Sequence, residues 1–157
     1  MSIFVKSTHA LKPRTRDSQN IAYLYAAILI IFVLAQLFTF DNFLTLIESF
    51  WLPGGAPIAH LLGGIIVVSE VLALPFLLGM KLSPLMRIIS MVLGWCSAIV
   101  WLKISLWLVL TTNAVSNIGY LGTAVRLIPG WWAVFFGIAL VILSAWSSWG
   151  LWPGKRK

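Results

Sequence analysis

Hydrophobic residues in this chain form four runs, each long enough to cross a bilayer as a helix. The hydrocarbon core of a membrane is about 30 Å thick, and a helix needs about 20 residues to span it. The runs cover residues 20–40, 57–80, 85–110 and 131–152. This pattern predicts an all-α fold, an integral membrane four-helix bundle in which residues 1–157 form a single membrane domain.

The segment between the first two runs has the periodicity of an amphipathic helix. Its apolar residues recur at helical spacing, and its polar residues fall on the opposite face. The apolar face contains Phe40, Phe43, Leu44, Ile47, Phe50 and Trp51, and the polar face contains Asp41, Asn42, Thr45, Glu48 and Ser49. We expect a helix that lies in the membrane plane on the extracytoplasmic side and ends before Pro53.

Composition agrees with a membrane protein. The chain is 61% hydrophobic and only 10% charged, and its mean hydropathy is +0.99, whereas about 25% of residues are charged in soluble domains. The formal net charge is +7, but the basic residues are not gathered on one face, as nucleic-acid binding requires. The lipid bilayer is therefore the expected partner, and nucleic acid is not.

The distribution of basic residues predicts the orientation. Nine of the eleven lysines and arginines fall on one side of the four runs: Lys6, Lys12, Arg14, Arg16, Lys81, Arg87, Lys155, Arg156 and Lys157. The opposite loops contain only Arg126, and Lys103 lies inside the third run. Because cytoplasmic loops are enriched in basic residues, we expect both termini in the cytoplasm, with residues 1–19 as a basic segment and 153–157 as a tail. The expected location is the bacterial inner membrane.

Glu70 is the one charged residue between His60 and Lys81, in the middle of the second run. A carboxyl group at that depth costs free energy, so it usually faces the interior of a bundle or a watery cavity. Gly63 and Ala59 lie seven and eleven residues earlier, on the same helical face, where small residues allow a neighbouring helix to approach. Two interpretations stay open: a structural carboxyl that holds two helices in register, or a carboxyl that handles protons or contacts a cofactor.

Other candidates lie near the predicted outer interface. His60 suits an interfacial anchor, and the role of an axial ligand to a haem or pigment is left open for it. Aromatic and apolar side chains there predict a docking surface for a larger membrane complex. The proposed docking residues are Phe43, Ile47, Trp51, Trp131 and Trp132.

Common catalytic motifs are absent from the sequence, which contains no phosphate-binding loop, zinc-ligand pair or nucleophile elbow. Cys96 is the only cysteine, so an internal disulfide or a two-cysteine redox site is excluded. We therefore expect no catalytic residues, no metal site and no activity of the chain alone.

The four spans, the amphipathic segment after the first span, and the run from Glu70 to "LLGMKLSPLMR" resemble the DoxX/MauE-like membrane proteins over about residues 20–150. Glu70, Gly79, Lys81 and Arg87 match positions of that family. The family is associated with thiosulfate:quinone oxidoreductase, methylamine dehydrogenase maturation and thiol-redox partners. The resemblance implies a small accessory subunit of, or helper for, a larger quinone- or thiol-linked redox complex, with a quinone as the candidate cofactor near Glu70.

Two alternatives remain beside this interpretation. One is a structural subunit of a respiratory or photosynthetic assembly, in which His60 and the tryptophans contact pigments or lipids. The other is a small oligomeric transporter with Glu70 in its pathway.

Overall fold

A computed structural model describes residues 13–111 and 115–152. It contains five helices: α1 (Arg16–Phe38), α2 (Phe40–Glu48), α3 (Gly55–Leu77), α4 (Pro84–Leu110) and α5 (Trp131–Leu151). Four of them, all except α2, are long and apolar enough to cross a membrane. The predicted all-α four-helix membrane bundle is confirmed. Five of the nine basic residues behind the predicted orientation, Lys6, Lys12 and those at 155–157, lie outside the described residues.

The four long helices form a closed ring in which α1 packs on α3, α3 on α4, α4 on α5 and α5 on α1. The backbone N–H of Arg14 donates to the carbonyl of Gly150 over 2.9 Å, so the start of α1 meets the end of α5. We call this end of the bundle, which also carries the α3–α4 connection, the terminal end. The opposite end carries α2 and the 115–130 connection, and we call it the α2 end.

Each long helix buries a stripe of six residues spaced 4-3-4-3-4 along the chain. The stripes are Ser18, Ala22, Tyr25, Leu29, Phe32 and Gln36 in α1; Ala59, Gly63, Ile66, Glu70, Ala73 and Leu77 in α3; Ser90, Gly94, Ser97, Trp101, Ile104 and Leu108 in α4; and Ala133, Gly137, Leu140, Ser144, Ser147 and Leu151 in α5. A repeat of seven favours neighbouring helices that cross at about 20° and coil left-handed. Many stripe residues are small or polar, as is typical of helix contacts in membranes.

A serine from α4 completes the hydrogen bonding of α3 around Pro75. Proline has no N–H and interrupts the helical ladder. The hydroxyl of Ser90 donates to the carbonyl of Leu72 and accepts from the backbone N–H of Phe76 over 3.1 Å. The α3 backbone can therefore bend inside the bundle without leaving these groups unpaired.

Helix α2 is amphipathic as predicted, but its apolar face contacts protein. Phe43 and Ile47 have no exposed surface. Phe43 lies beside the indole ring of Trp101, with ring centroids 6.5 Å apart, and α2 packs along α3. These two residues of the predicted in-plane helix are therefore covered by protein, mainly by α3, with Trp101 of α4 beside Phe43.

The connection over residues 115–130 folds across the α2 end around a buried asparagine. The Asn117 side chain donates to the carbonyl of Gly122 over 2.9 Å and accepts from the backbone N–H groups of Gly119 and Leu127, both over 3.1 Å. Gly122 has a φ of +56°, and a Cβ there would overlap the side chain of Thr39, so this close approach to the end of α1 requires glycine. The connection is thereby held against the bundle and brings Tyr120 into its interior.

Candidate functional site

Glu70 lies in the centre of the bundle with no exposed surface. Its Oε1 accepts a hydrogen bond from the indole Nε1 of Trp101 over 2.7 Å and another from the hydroxyl of Ser97 over 3.4 Å. Both donors belong to α4. The carboxyl group therefore joins α3 to α4, and it faces protein as its position in the sequence predicts.

The interior around Glu70 also contains the side-chain amide of Gln36. Oε2 of Glu70 has no hydrogen-bond partner among the described residues, and neither has Oε1 of Gln36. The Gln36 side chain, from α1, lies beside the carboxyl, and its Nε2 donates to the carbonyl of Tyr120 over 3.2 Å.

Tyr120 closes the site from the α2 end. Its hydroxyl donates to the carbonyl of Ala133 over 3.0 Å and lies 2.8 Å from the hydroxyl of Ser105. Its ring centroid is 4.7 Å from that of Trp101 and 5.3 Å from that of Phe32. Burial raises the pKa of Tyr120 to about 12, while the hydrogen bond with Ser105 acts in the opposite direction. Tyr120 therefore keeps its proton at neutral pH and remains a donor.

Tyr25 occupies the terminal side of the same interior. It has no exposed surface, and its hydroxyl donates to the backbone carbonyl of Gly94 over 2.7 Å. Tyr25 and Gly94 belong to the buried stripes of α1 and α4, so this bond ties two diagonal helices together. Glu70 and Tyr25 each form a specific contact between helices, which stabilises one arrangement of the bundle.

The structure does not bring His60 and Glu70 together. They lie ten residues apart on α3, which corresponds to about 15 Å along the helix axis and to different faces. The Nε2 of His60 lies 3.4 Å from Oε2 of Glu48, and about half of each side chain is exposed. The two candidate cofactor residues therefore belong to separate environments, one buried and one at the α2 end.

The predicted docking residues divide into two groups. Trp51, Trp131 and Trp132 are 80%, 61% and 45% exposed, so they are accessible to a partner or to lipid headgroups. Phe43 and Ile47 are fully buried. Their prediction as docking residues is wrong, because the helical periodicity that suggested an outer face instead directs both side chains into the core.

Two open cavities lie near the α2 end, and neither is lined by Glu70. The larger measures about 690 Å³ and runs along the junction of α2 and α3. The smaller measures about 210 Å³ and lies between α3 and α4. Within residues 13–111 and 115–152, no three His, Cys, Asp or Glu side chains are grouped as a metal site requires.

The partners of Glu70 were not singled out in the sequence, although a signal for them is present. Ser97 and Trp101 lie on the seven-residue stripe of α4, and Gln36 ends the matching stripe of α1. Comparing the four runs for a shared repeat of small and polar residues would have placed these side chains on the same interior as Glu70.

Comparisons with family models, with curated protein sequences and with solved structures give no match. The resemblance to the DoxX/MauE-like proteins therefore rests on the sequence features quoted above and stays a prediction.

Proposed function

We propose that this chain is a small accessory subunit of, or helper for, a larger membrane redox complex. The observation that carries the proposal is the contrast between its interior and its surface. Glu70 is enclosed by α1, α3 and α4, whereas Trp51, Trp131 and Trp132 at the α2 end are exposed. An interior built from contacts between helices suits a scaffold, and an aromatic end suits attachment to other molecules.

The redox character of the partner rests on the resemblance to the DoxX/MauE-like proteins. A quinone is the cofactor class it implies, and neither of the two cavities reaches Glu70. We propose that a quinone binds in the assembled complex, at a surface that this chain shares with its partner.

The proposed setting is the bacterial inner membrane with both termini in the cytoplasm. Cysteine labelling tests the orientation in a Cys96→Ala background. Asn42 and Asp17 are exposed at opposite ends of the bundle. An impermeant thiol reagent added to intact cells should label Asn42→Cys and not Asp17→Cys, and the reverse pattern would overturn the orientation.

Co-purification from native membranes tests the function. A stoichiometric partner bearing a redox cofactor should be retained by the parent chain, and the chain freed of it should show no turnover with quinone or thiosulfate. A variant with Trp131→Ser and Trp132→Ser should lose most of the partner. Trp146→Ser is the matched control, since Trp146 is a 48% exposed tryptophan further along α5.

Three results would contradict the proposal. Sustained turnover by the isolated chain would require an active site within it. If Trp146→Ser loses as much partner as the Trp131→Ser, Trp132→Ser variant, the α2 end is not the docking site. A partner whose absorbance shows bound pigment and no redox cofactor would instead support the alternative of a structural subunit of a pigment-binding assembly.

A further inference from the structure

We propose that the α2 end binds a phospholipid with an ammonium headgroup, such as phosphatidylethanolamine, in a site formed by the two open cavities. The larger cavity, here called the head groove, is lined by Thr45, Glu48, Ser49, Trp51, Leu52, Gly55 and Ala56. The smaller cavity, here called the chain slot, is lined by Leu52, Leu62, Val100, Lys103, Ile104 and Trp107. Leu52 lines both, so the two cavities adjoin.

The two cavities lie at different depths, which match those of a lipid headgroup and its acyl chain. The head groove is level with Gly55, the first residue of α3, while Leu62 in the chain slot lies seven residues further along that helix. Seven helical residues correspond to about 10 Å. The chain slot therefore lies within the hydrocarbon region, and the head groove lies near its boundary, as an acyl chain and its headgroup do.

The polar groups of the head groove favour a cation. The hydroxyls of Thr45 and Ser49 already donate to the carbonyls of Asp41 and Leu46, so they can only accept from a ligand. The carboxylate of Glu48 is 48% exposed and contacts His60 through Oε2, and a carboxylate has capacity for further donors. An ammonium group, which has only donors, matches these acceptors.

Trp51 adds an aromatic surface at the edge of the head groove. Its side chain is 80% exposed, and its backbone has a φ of 52°, in the left-handed region. This conformation is unfavourable for a residue with a Cβ, and residues held in it occur at ligand-binding sites. An indole ring at this position can contact an ammonium group through its face.

Lys103 lines the chain slot and supplies a positive charge that complements the lipid phosphate. Its side chain is exposed on α4 seven residues before Leu110, the last residue of that helix. A lysine at that depth extends its stem along apolar surface and places its ammonium group near the phosphate level. Glu48 and Lys103 thus offer one acceptor and one donor, which match the ammonium and the phosphate of a zwitterionic lipid.

Native mass spectrometry of the full chain in detergent tests this assignment. The parent protein is titrated separately with dioleoyl phosphatidylethanolamine and dioleoyl phosphatidylglycerol, which share acyl chains and differ in headgroup. We expect about threefold tighter binding of the ethanolamine lipid, which corresponds to about 0.6 kcal/mol from one contact with a half-exposed carboxylate. Equal binding, or preference for the glycerol lipid, would overturn the proposal without any variant.

Two matched pairs of variants locate the site. Glu48→Gln should remove most of the headgroup preference, whereas Asp41→Asn, which changes an exposed carboxylate of α2 outside both cavities, should keep it. Val100→Trp fills the chain slot and should weaken both lipids, whereas Ile99→Trp, on the neighbouring exposed residue, should not. Unchanged binding in Glu48→Gln or in Val100→Trp would overturn the site.

Discussion

Glu70 of α3 and Glu48 of α2 both carry a carboxyl group, and their surroundings are opposite. Glu70 has no exposed surface and is held by Trp101 and Ser97. Glu48 is about half exposed, contacts His60 and lines an open groove. The carboxyl that is conspicuous in the sequence thus lies in a closed interior, and the inconspicuous one, on the amphipathic helix α2, lines an open groove. A charge within a span indicates burial, and burial alone does not distinguish a functional group from a structural one.

The largest effect is expected where α2 meets the bundle. Phe43→Ser and Ile47→Ser each remove a fully buried side chain, and each should cost about 3 kcal/mol or more. The double variant should lose monodisperse protein on size exclusion and should melt far below the parent in circular dichroism. Trp131→Ser, at a 61% exposed residue of the same end, is the control. A stable double variant would mean that α2 does not belong to the core.

A smaller effect is expected at Glu70. Glu70→Leu leaves the indole N–H of Trp101 without its acceptor, which should lower stability by about 1–3 kcal/mol. Glu70→Gln keeps a carbonyl oxygen for that N–H and should unfold close to the parent. Unfolding in detergent, followed by circular dichroism, measures both variants.

The same variants separate the two roles of Glu70. If Glu70→Gln assembles and supports electron transfer in the complex, the carboxyl is structural. If it assembles and electron transfer fails, the carboxyl handles protons or contacts a cofactor. Two variants that match the parent in both stability and electron transfer would leave Glu70 without either role.

The sequence predicted the elements of the fold better than their contacts. The four spans follow from runs of about 20 apolar residues, a length imposed by the bilayer and independent of tertiary structure. Helix α2 is predicted by the helical spacing of its apolar residues. What covers that face cannot be read from periodicity, since lipid and protein select the same apolar residues. For this reason the periodicity predicts an outer surface for Phe43 and Ile47, although they lie in the core.

The candidate site shows the same limit. Glu70 and its inward face were predicted from Gly63 and Ala59, because one helix suffices for that inference. Trp101 and Gln36 belong to other helices, and Tyr120 to a connection without regular structure, so their meeting depends on how the bundle closes. Asn117 bonds residues of its own connection, two to ten positions away, but the bond from Gln36 to the carbonyl of Tyr120 spans 84 positions. Long-range contacts of this second kind leave no local pattern in a sequence.

Tyr120 provides a third, weaker test of the closed interior. Tyr120→Phe removes the hydroxyl that binds Ala133 and Ser105, which should cost about 1 kcal/mol at neutral pH. The pKa of Tyr120 rises from 10.0 to about 12 on folding, so the folded state favours the protonated hydroxyl. Its contribution is complete below pH 10 and is lost as the pH rises through 12. The parent should therefore lose more thermal stability than Tyr120→Phe between pH 10 and 12, and equal losses would show that the hydroxyl is not enclosed.

The smallest effect is expected at Glu48. An ion pair between half-exposed groups typically contributes less than about 1 kcal/mol, because water solvates both partners and salt screens their attraction. Glu48→Gln should therefore change the unfolding midpoint little, and the small change should shrink further in high salt. Unfolding of the parent and Glu48→Gln at low and high ionic strength, with Glu70→Leu measured beside them, checks this. A loss as large as that of Glu70→Leu would show that the contact with His60 holds α2 to α3, and Glu48 would then belong to the framework of the bundle as Glu70 does.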